Sequence, residues 1–141
     1  MGQQQLLLII LGVIIVGIAV AVGITMFQDN AISANKDAVV NDLVQLAAKA
    51  QQHYRKPTSL GGGGNSYAGI DSAGSLVSAA FHHNDNGIYR VTTTGTTSIV
   101  ITGYGRSQNA DGTYPQIAMT VNPTGNVLGQ WVATLTTLSG L

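Results

Sequence analysis

The chain has 141 residues, of which only 9% are charged, and its six basic residues balance six acidic ones. A neutral, charge-poor chain lacks the clustered Lys and Arg that nucleic acid binding needs, so no nucleic acid partner is predicted. The absence of cysteine from the sequence excludes disulfide bonds and thiolate metal sites. This length suits one domain together with a membrane anchor.

An uncharged apolar run occupies residues 6–26, close to the start of the sequence. About 20 helical residues, with a rise of about 1.5 Å each, cross the roughly 30 Å hydrocarbon core of a bilayer. A removable secretory signal would have a basic leader, a shorter apolar region and a small-residue cleavage site, and none of these is found here. We therefore expect a retained membrane-spanning helix; the alternative is a core helix that is apolar all round.

A second helical pattern follows, because apolar residues recur every three or four positions over residues 36–54. Pro57 ends this amphipathic helix, and no proline separates it from the apolar run, so both can form one helix. Turn-favouring residues at 28–35 predict a bend or a frayed turn there. Lys36, Asp37, Asp42 and Lys49 fall mostly off the apolar stripe. The stripe that we expect to pack on a sheet consists of Val39, Leu43, Leu46, Ala50 and Tyr54, broadened by Val40, Val44 and Ala47.

The second half of the chain is rich in glycine and in β-favouring residues. Four consecutive glycines at 61–64 match neither a phosphate loop nor a dinucleotide motif, so a flexible turn is expected. Residues 76–81 suit a short helix or a strand. Strands are predicted at residues 87–94, 96–103, 115–121 and 126–134, where Val, Ile, Thr and Tyr alternate with polar positions. The short links between them favour antiparallel hairpins.

The residues predict no catalytic site, no metal site and no cofactor. His82 and His83, with Asp85 nearby, are the candidate metal ligands, but adjacent histidines on a strand point to opposite faces. A polar turn into Gly87 is favoured instead. Residues 105–109 fail the nucleophile-elbow pattern at its last position. Trp131 and Tyr104 are expected to pack on sheet faces rather than to bind a ligand.

This layout resembles the type IV pilin family, which includes the pseudopilins of type II secretion. The resemblance rests on residues 2–10, Gly-Gln-Gln-Gln-Leu-Leu-Leu-Ile-Ile, on the proline-free helix up to Tyr54, and on the β-rich second half. In that family, prepilin peptidase cuts after a leader that ends in glycine and methylates the new amino terminus. The resemblance implies a cut between Gly2 and Gln3, with methylation at Gln3.

The expected organisation is therefore a short cleaved leader at residues 1–2, a transmembrane or filament-core helix at 3–27, and its amphipathic continuation at 28–56. A glycine-rich connector at 57–86 and an antiparallel sheet at 87–141 complete it. The fold class is α+β: a long N-terminal helix packed against a C-terminal four-stranded antiparallel β-sheet.

Two features depart from the family pattern. Most pilins carry glutamate as the fifth residue after the cut, where it pairs with the amino terminus of a neighbouring subunit. Here that position is Leu7, and the sequence contains no glutamate. The amides of Gln3, Gln4 and Gln5 can offer hydrogen bonds instead, although these are weaker than a charge-assisted pair. The leader, Met-Gly, also lacks the usual basic residues.

The function expected from the resemblance is that of a structural subunit of a type IV pilin-like extracellular filament. Its partners would be copies of itself, a prepilin peptidase, an assembly ATPase and a platform membrane protein, and it would reside in the cytoplasmic membrane before assembly. The alternatives are a pseudopilin of a secretion machine and a monomeric membrane-anchored binding domain; an enzyme is the most distant. Small residues let helices approach closely, although glycine is common in membrane helices generally. The expected assembly interface comprises Gln3, Gln4, Gln5, Leu7, Gly12, Gly17, Ala21 and Gly23.

Overall fold

The computed structural model describes residues 2–71, 76 and 79–141, so Met1 of the expected leader and residues 77–78 of the expected element at 76–81 lie outside the described residues. The chain divides into two compact units, Met1–Ser33 and Ala34–Leu141. The helices are α1 (Gly2–Arg55), a single 3₁₀ turn (Thr58–Leu60) and α2 (Ala79–His82). The strands are β1 (Gly87–Thr94), β2 (Ile99–Gly105), β3 (Tyr114–Asn122), β4 (Gly125–Leu128) and β5 (Val132–Leu135).

Helix α1 is continuous over 54 residues. Residues 28–35 are helical throughout, so the frayed turn expected there is wrong. Asn35, one of the turn-favouring residues, donates its side-chain amide to the carbonyl of Asn86 at 2.7 Å and accepts from the N–H of Ser107 at 3.2 Å. Because this side chain is engaged in tertiary hydrogen bonds, it does not compete for the helix backbone.

The sheet is antiparallel, in the order β1-β2-β3-β4, and β5 also pairs with β3. The single fourth strand predicted at 126–134 is wrong, since two strands follow one another along β3 there. The Gly129 N–H still donates to the Ala118 carbonyl at 2.8 Å, and the pairing is interrupted after it. Pro115 has no N–H to offer the ladder, and the register between β3 and β5 shifts at this residue. The α+β fold class, a long N-terminal helix packed against an antiparallel sheet, is confirmed.

The core lies between the second half of α1 and one face of the sheet. Strand β3 alternates buried and half-buried residues, as a strand with one covered face does. Its buried Ile117, Met119 and Val121 join a single apolar cluster with Ile99 and Ile101 of β2. The helix contributes five fully buried residues to that cluster: Val39, Leu43, Leu46, Ala47 and Ala50.

Three stripe residues differ from that pattern. Val40 is half-buried against the cluster rather than fully buried. Tyr54 is half-buried, and its ring packs on the ring of buried Tyr67 with centroids 4.8 Å apart. Val44, which we expected to broaden the stripe, is 49% exposed, because the helical period places it away from the sheet.

Gly103 on β2 sets how closely α1 approaches the sheet. A Cβ atom at this position would lie 2.8 Å from Cγ1 of Val39 and 3.2 Å from Cδ1 of Leu43. Any larger residue would push the helix away from its core contacts.

Candidate functional site

The first unit presents an apolar helix surface that nothing within it covers. Each large apolar side chain from Leu6 to Phe27 is more than half exposed. Of the described residues, α1 alone is long and apolar enough to cross a membrane. Burial of apolar surface is favourable by about 25 cal/mol per Å², so this surface is stable only in lipid or against another apolar surface.

The glycines of this helix make no close packing contact within the described chain. A Cβ atom added at Gly12, Gly17 or Gly23 would meet no atom within 4 Å outside the helix's own nearby backbone. Glycine in a helix interior costs about 0.5–1 kcal/mol relative to alanine. Nothing inside the described chain offsets that cost, whereas close approach of a second helix would. Ala21 is also exposed and lies one helical turn beyond Gly17.

The polar start of α1 is exposed as well. Gln3, Gln4, Gln5 and Leu7 all lie on the first two turns, with no tertiary contact to fix their side chains to one face. The helix begins at Gly2, so the bond between Gly2 and Gln3 lies in its first turn. The first carboxylate of the sequence is Asp29, which leaves amides and backbone groups as the polar partners available near the amino terminus.

A buried polar network, which the sequence pattern did not reveal, fixes α1 to β1. Asp42 is only 7% exposed, although its polarity suggested a position off the stripe. Its Oδ2 atom accepts from the hydroxyl of Tyr89 at 2.6 Å, from the amide of Asn84 at 2.9 Å and from the amide of Asn86 at 3.0 Å. Burial, together with this bond to Asp42, raises the pKa of the Tyr89 phenol, which therefore stays protonated and donates.

The glycine-rich connector caps the C-terminal end of α1 instead of forming only the flexible turn that the sequence predicted. The N–H of Gly63 donates to the carbonyl of His53 at 2.8 Å, that of Gly64 to Lys56 at 3.0 Å, and that of Asn65 to Tyr54 at 2.7 Å. These bonds satisfy carbonyls that a helix end otherwise leaves to water.

Gly63→Ala is expected to lower the free energy of unfolding by about 1–3 kcal/mol, because the new Cβ would overlap the carbonyl of Ser66 and lie 3.1 Å from Cδ2 of His53. Urea unfolding of the full chain in mild detergent, followed by the fluorescence of its single tryptophan, Trp131, measures the change. Gly125→Ala is the matched control, since its Cβ meets nothing within 4 Å and a change within about 0.5 kcal/mol is expected. Equal midpoints for both variants would show that the loop does not cap the helix.

The histidine pair lies between α2 and β1: His82 is the last residue of α2, and His83 forms an isolated bridge with Ile88. The rings of His82 and His83 meet edge to face with centroids 4.5 Å apart, and no group of three metal-ligating side chains occurs in the part of the chain that the structure describes. The side-chain oxygen of Asn84 accepts from the N–H groups of Asn86 and Gly87, which forms the turn into β1. Desolvation, and then nearby His82 and two arginines, lower the pKa of the His83 imidazole.

Tyr104 and Trp131, the two aromatic residues considered as ligand-binding candidates, both pack within the second unit. Tyr104 is buried on the sheet. Trp131 is half-buried against the apolar cluster, and the Lys36 ammonium lies 5.5 Å from its ring centroid. Such a cation–π contact contributes about 0.5–1 kcal/mol when exposed and keeps Lys36 close to the ring.

No protein-family model matches the chain, and no curated protein or solved structure matches it either. The chain's two distinctive features are an apolar helix exposed along residues 6–27 and a compact α+β unit at residues 34–141.

Proposed function

We propose that this chain is a structural subunit of a type IV pilin-like extracellular filament that assembles by packing of its N-terminal helices. One observation carries the proposal. The apolar side chains of residues 6–27 are exposed, while the second unit has a complete core of its own. A helix that first crosses a membrane and then packs on copies of itself keeps its apolar surface out of water in both states.

The glycine positions support contact between copies. Gly12, Gly17 and Gly23 weaken the helix and gain no contact within the chain, which suits a surface that another helix approaches closely. Gln3, Gln4, Gln5 and the exposed Leu7 would lie at the polar end of this interface, with Ala21 beside Gly17.

A filament follows if the interface between copies is head-to-tail and does not close on itself. Residues 6–27 would form a central bundle, and the sheet would form the outer surface. Resemblance to pilins supports a prepilin peptidase, an assembly ATPase and a platform membrane protein as partners. It also supports residence in the cytoplasmic membrane before export to the cell surface.

Two other functions share some of these observations. A single apolar helix of membrane-spanning length also suits a monomeric membrane-anchored binding domain, for which the glycine pattern would be incidental. A pseudopilin would have the same fold and a shorter assembly. Shearing of the source cells, negative-stain microscopy of the released material and mass spectrometry separate the three. A filament subunit dominates the sheared fraction, a pseudopilin is scarce there, and a monomeric anchor stays with the membranes.

The mature chain is expected to begin at Gln3, N-methylated or cyclised to pyroglutamate, because Gly2 directly precedes the polar triplet and the apolar helix. Intact-mass measurement on purified filaments reads this directly. A mass that includes Met1 and Gly2 would remove peptidase processing from the proposal.

A further inference from the structure

An open cavity of about 300 Å³ lies beside the last two turns of α1. It is lined by Lys49, Gln52, His53, Lys56, Gly61 and Leu76. Lys49 and His53 are one helical turn apart on α1, and Lys56 directly follows the last helical residue, Arg55. Gln52 adds an amide that can donate two further hydrogen bonds.

The walls of this cavity are fixed by the glycine-rich cap. The Gly63 and Gly64 N–H groups bind the carbonyls of His53 and Lys56, at 2.8 and 3.0 Å. The backbone of Gly63 also lies so close to the His53 ring that a Cβ atom there would be 3.1 Å from its Cδ2. The backbone at His53 and Lys56 is therefore held in place before any ligand arrives, which reduces the entropy lost on binding.

The positive charge at this cavity has no neutralising partner in the chain as described. The carboxylate of Asp42, on the same helix, already accepts hydrogen bonds from Tyr89, Asn84 and Asn86. Over the described residues, no carboxylate comes within the 4.0 Å of a lysine, arginine or histidine nitrogen that defines an ion pair. Cations do stabilise the C-terminal end of a helix, but backbone N–H groups already bind the carbonyls of Gln52, His53 and Tyr54, so the lysine ammonium groups are not needed there.

We propose that this cavity binds a phosphoryl group, as free phosphate or a soluble phosphorylated ligand. An anionic lipid head group is not the expected source, because Lys49 lies 22 residues, or about 33 Å, beyond Phe27 on the continuous helix α1. A phosphoryl group offers several oxygen acceptors in a small volume, and lysine is a common point-charge partner for it. Lys49 and Lys56 supply the charge, while Gln52 and the His53 N–H supply oriented donors. The site is separate from the exposed apolar helix of the first unit, so the inference stands whether or not the chain forms filaments.

The test uses the isotope-labelled full chain in dodecyl maltoside micelles, which carry no phosphate. Inorganic phosphate is added at constant ionic strength, with chloride as the reference anion, and the backbone amide signals of Gly61–Gly64 are followed. A second arm replaces phosphate with phosphatidylglycerol in the micelles. Shifts with phosphate identify the free anion as a ligand, whereas shifts with phosphatidylglycerol alone would overturn the proposal, because they would place the binding at a lipid surface.

The double variant Lys49→Gln, Lys56→Gln is expected to weaken the binding at least tenfold while the remaining amide signals keep their positions. Lys36→Gln is the matched control, because Lys36 lies over Trp131 and away from the cavity lining, and its affinity should equal that of the parent chain. Absence of shifts in both arms would overturn the proposal. So would equal shifts in the double variant, since they would place the anion elsewhere.

Discussion

Gly17→Leu is expected to abolish filament formation while membrane insertion stays normal. Within the chain the new side chain enters open space, because a Cβ at Gly17 meets nothing within 4 Å. A loss of filaments must therefore come from a neighbouring molecule, because within the chain leucine favours the helix more than glycine does. Overpacking a close contact costs about 1–3 kcal/mol, and in a polymer this cost recurs at every subunit. Immunoblots of the sheared and membrane fractions measure filament yield and insertion separately.

Val20→Leu is the control for Gly17→Leu, because it also enlarges an exposed apolar side chain but does not start from glycine. We expect it to assemble like the parent chain. Filaments at parental yield from Gly17→Leu would mean that Gly17 does not face a neighbouring helix, and the small-residue surface would then be incidental.

Asp42→Ala is expected to lower the free energy of unfolding of the second unit by about 3–5 kcal/mol. The carboxylate accepts three hydrogen bonds, including one from the buried phenol of Tyr89. A hydrogen bond to a charged group contributes about 1.5–3 kcal/mol, and a buried donor left without a partner adds its own penalty. Because α1 and the turn before β1 meet at this carboxylate, its loss should loosen both. Denaturant unfolding of the full chain in detergent, read by Trp131 fluorescence, gives the value.

Asp37→Ala removes an exposed carboxylate from the same helix and should change the stability by no more than about 0.5 kcal/mol. Tyr89→Phe removes a single donor and should fall between the two, at about 1–2 kcal/mol. If Asp42→Ala unfolds at the same midpoint as Asp37→Ala, the network does not hold the helix to the sheet.

The elements of the fold could be predicted because they rest on local patterns. The period of Val39, Leu43, Leu46 and Ala50 marks a helix with one covered face, and that face is fully buried. The alternation at β1 and β3 marks strands, and their bounds agree with the prediction to within a residue or two. The spacing of leucine and valine predicts these elements because it shows which side of a helix or strand is buried.

Features that depend on distant partners could not be predicted. Asp42 looks like a surface residue until Asn84, Asn86 and Tyr89 are known to surround it, and these lie more than 40 positions away in sequence. The Asn-x-Asn-Gly run at 84–87 signals a turn, but not which carboxylate the turn would bind. The glycine cap was missed for a similar reason, since backbone hydrogen bonds leave no trace in side-chain patterns. The break between β4 and β5 depends on how β3 pairs with both strands.

The most direct test of the filament proposal is a cryo-electron microscopy map of the sheared filaments. We expect residues 6–27 of neighbouring copies to be in contact along the filament axis, with Gly17 facing a neighbouring helix and the five-stranded sheet outside. Filaments built from this chain in which residues 6–27 do not touch their copies would contradict the account. Sheared material that lacks the chain altogether, while it remains in the membrane fraction, would contradict it equally.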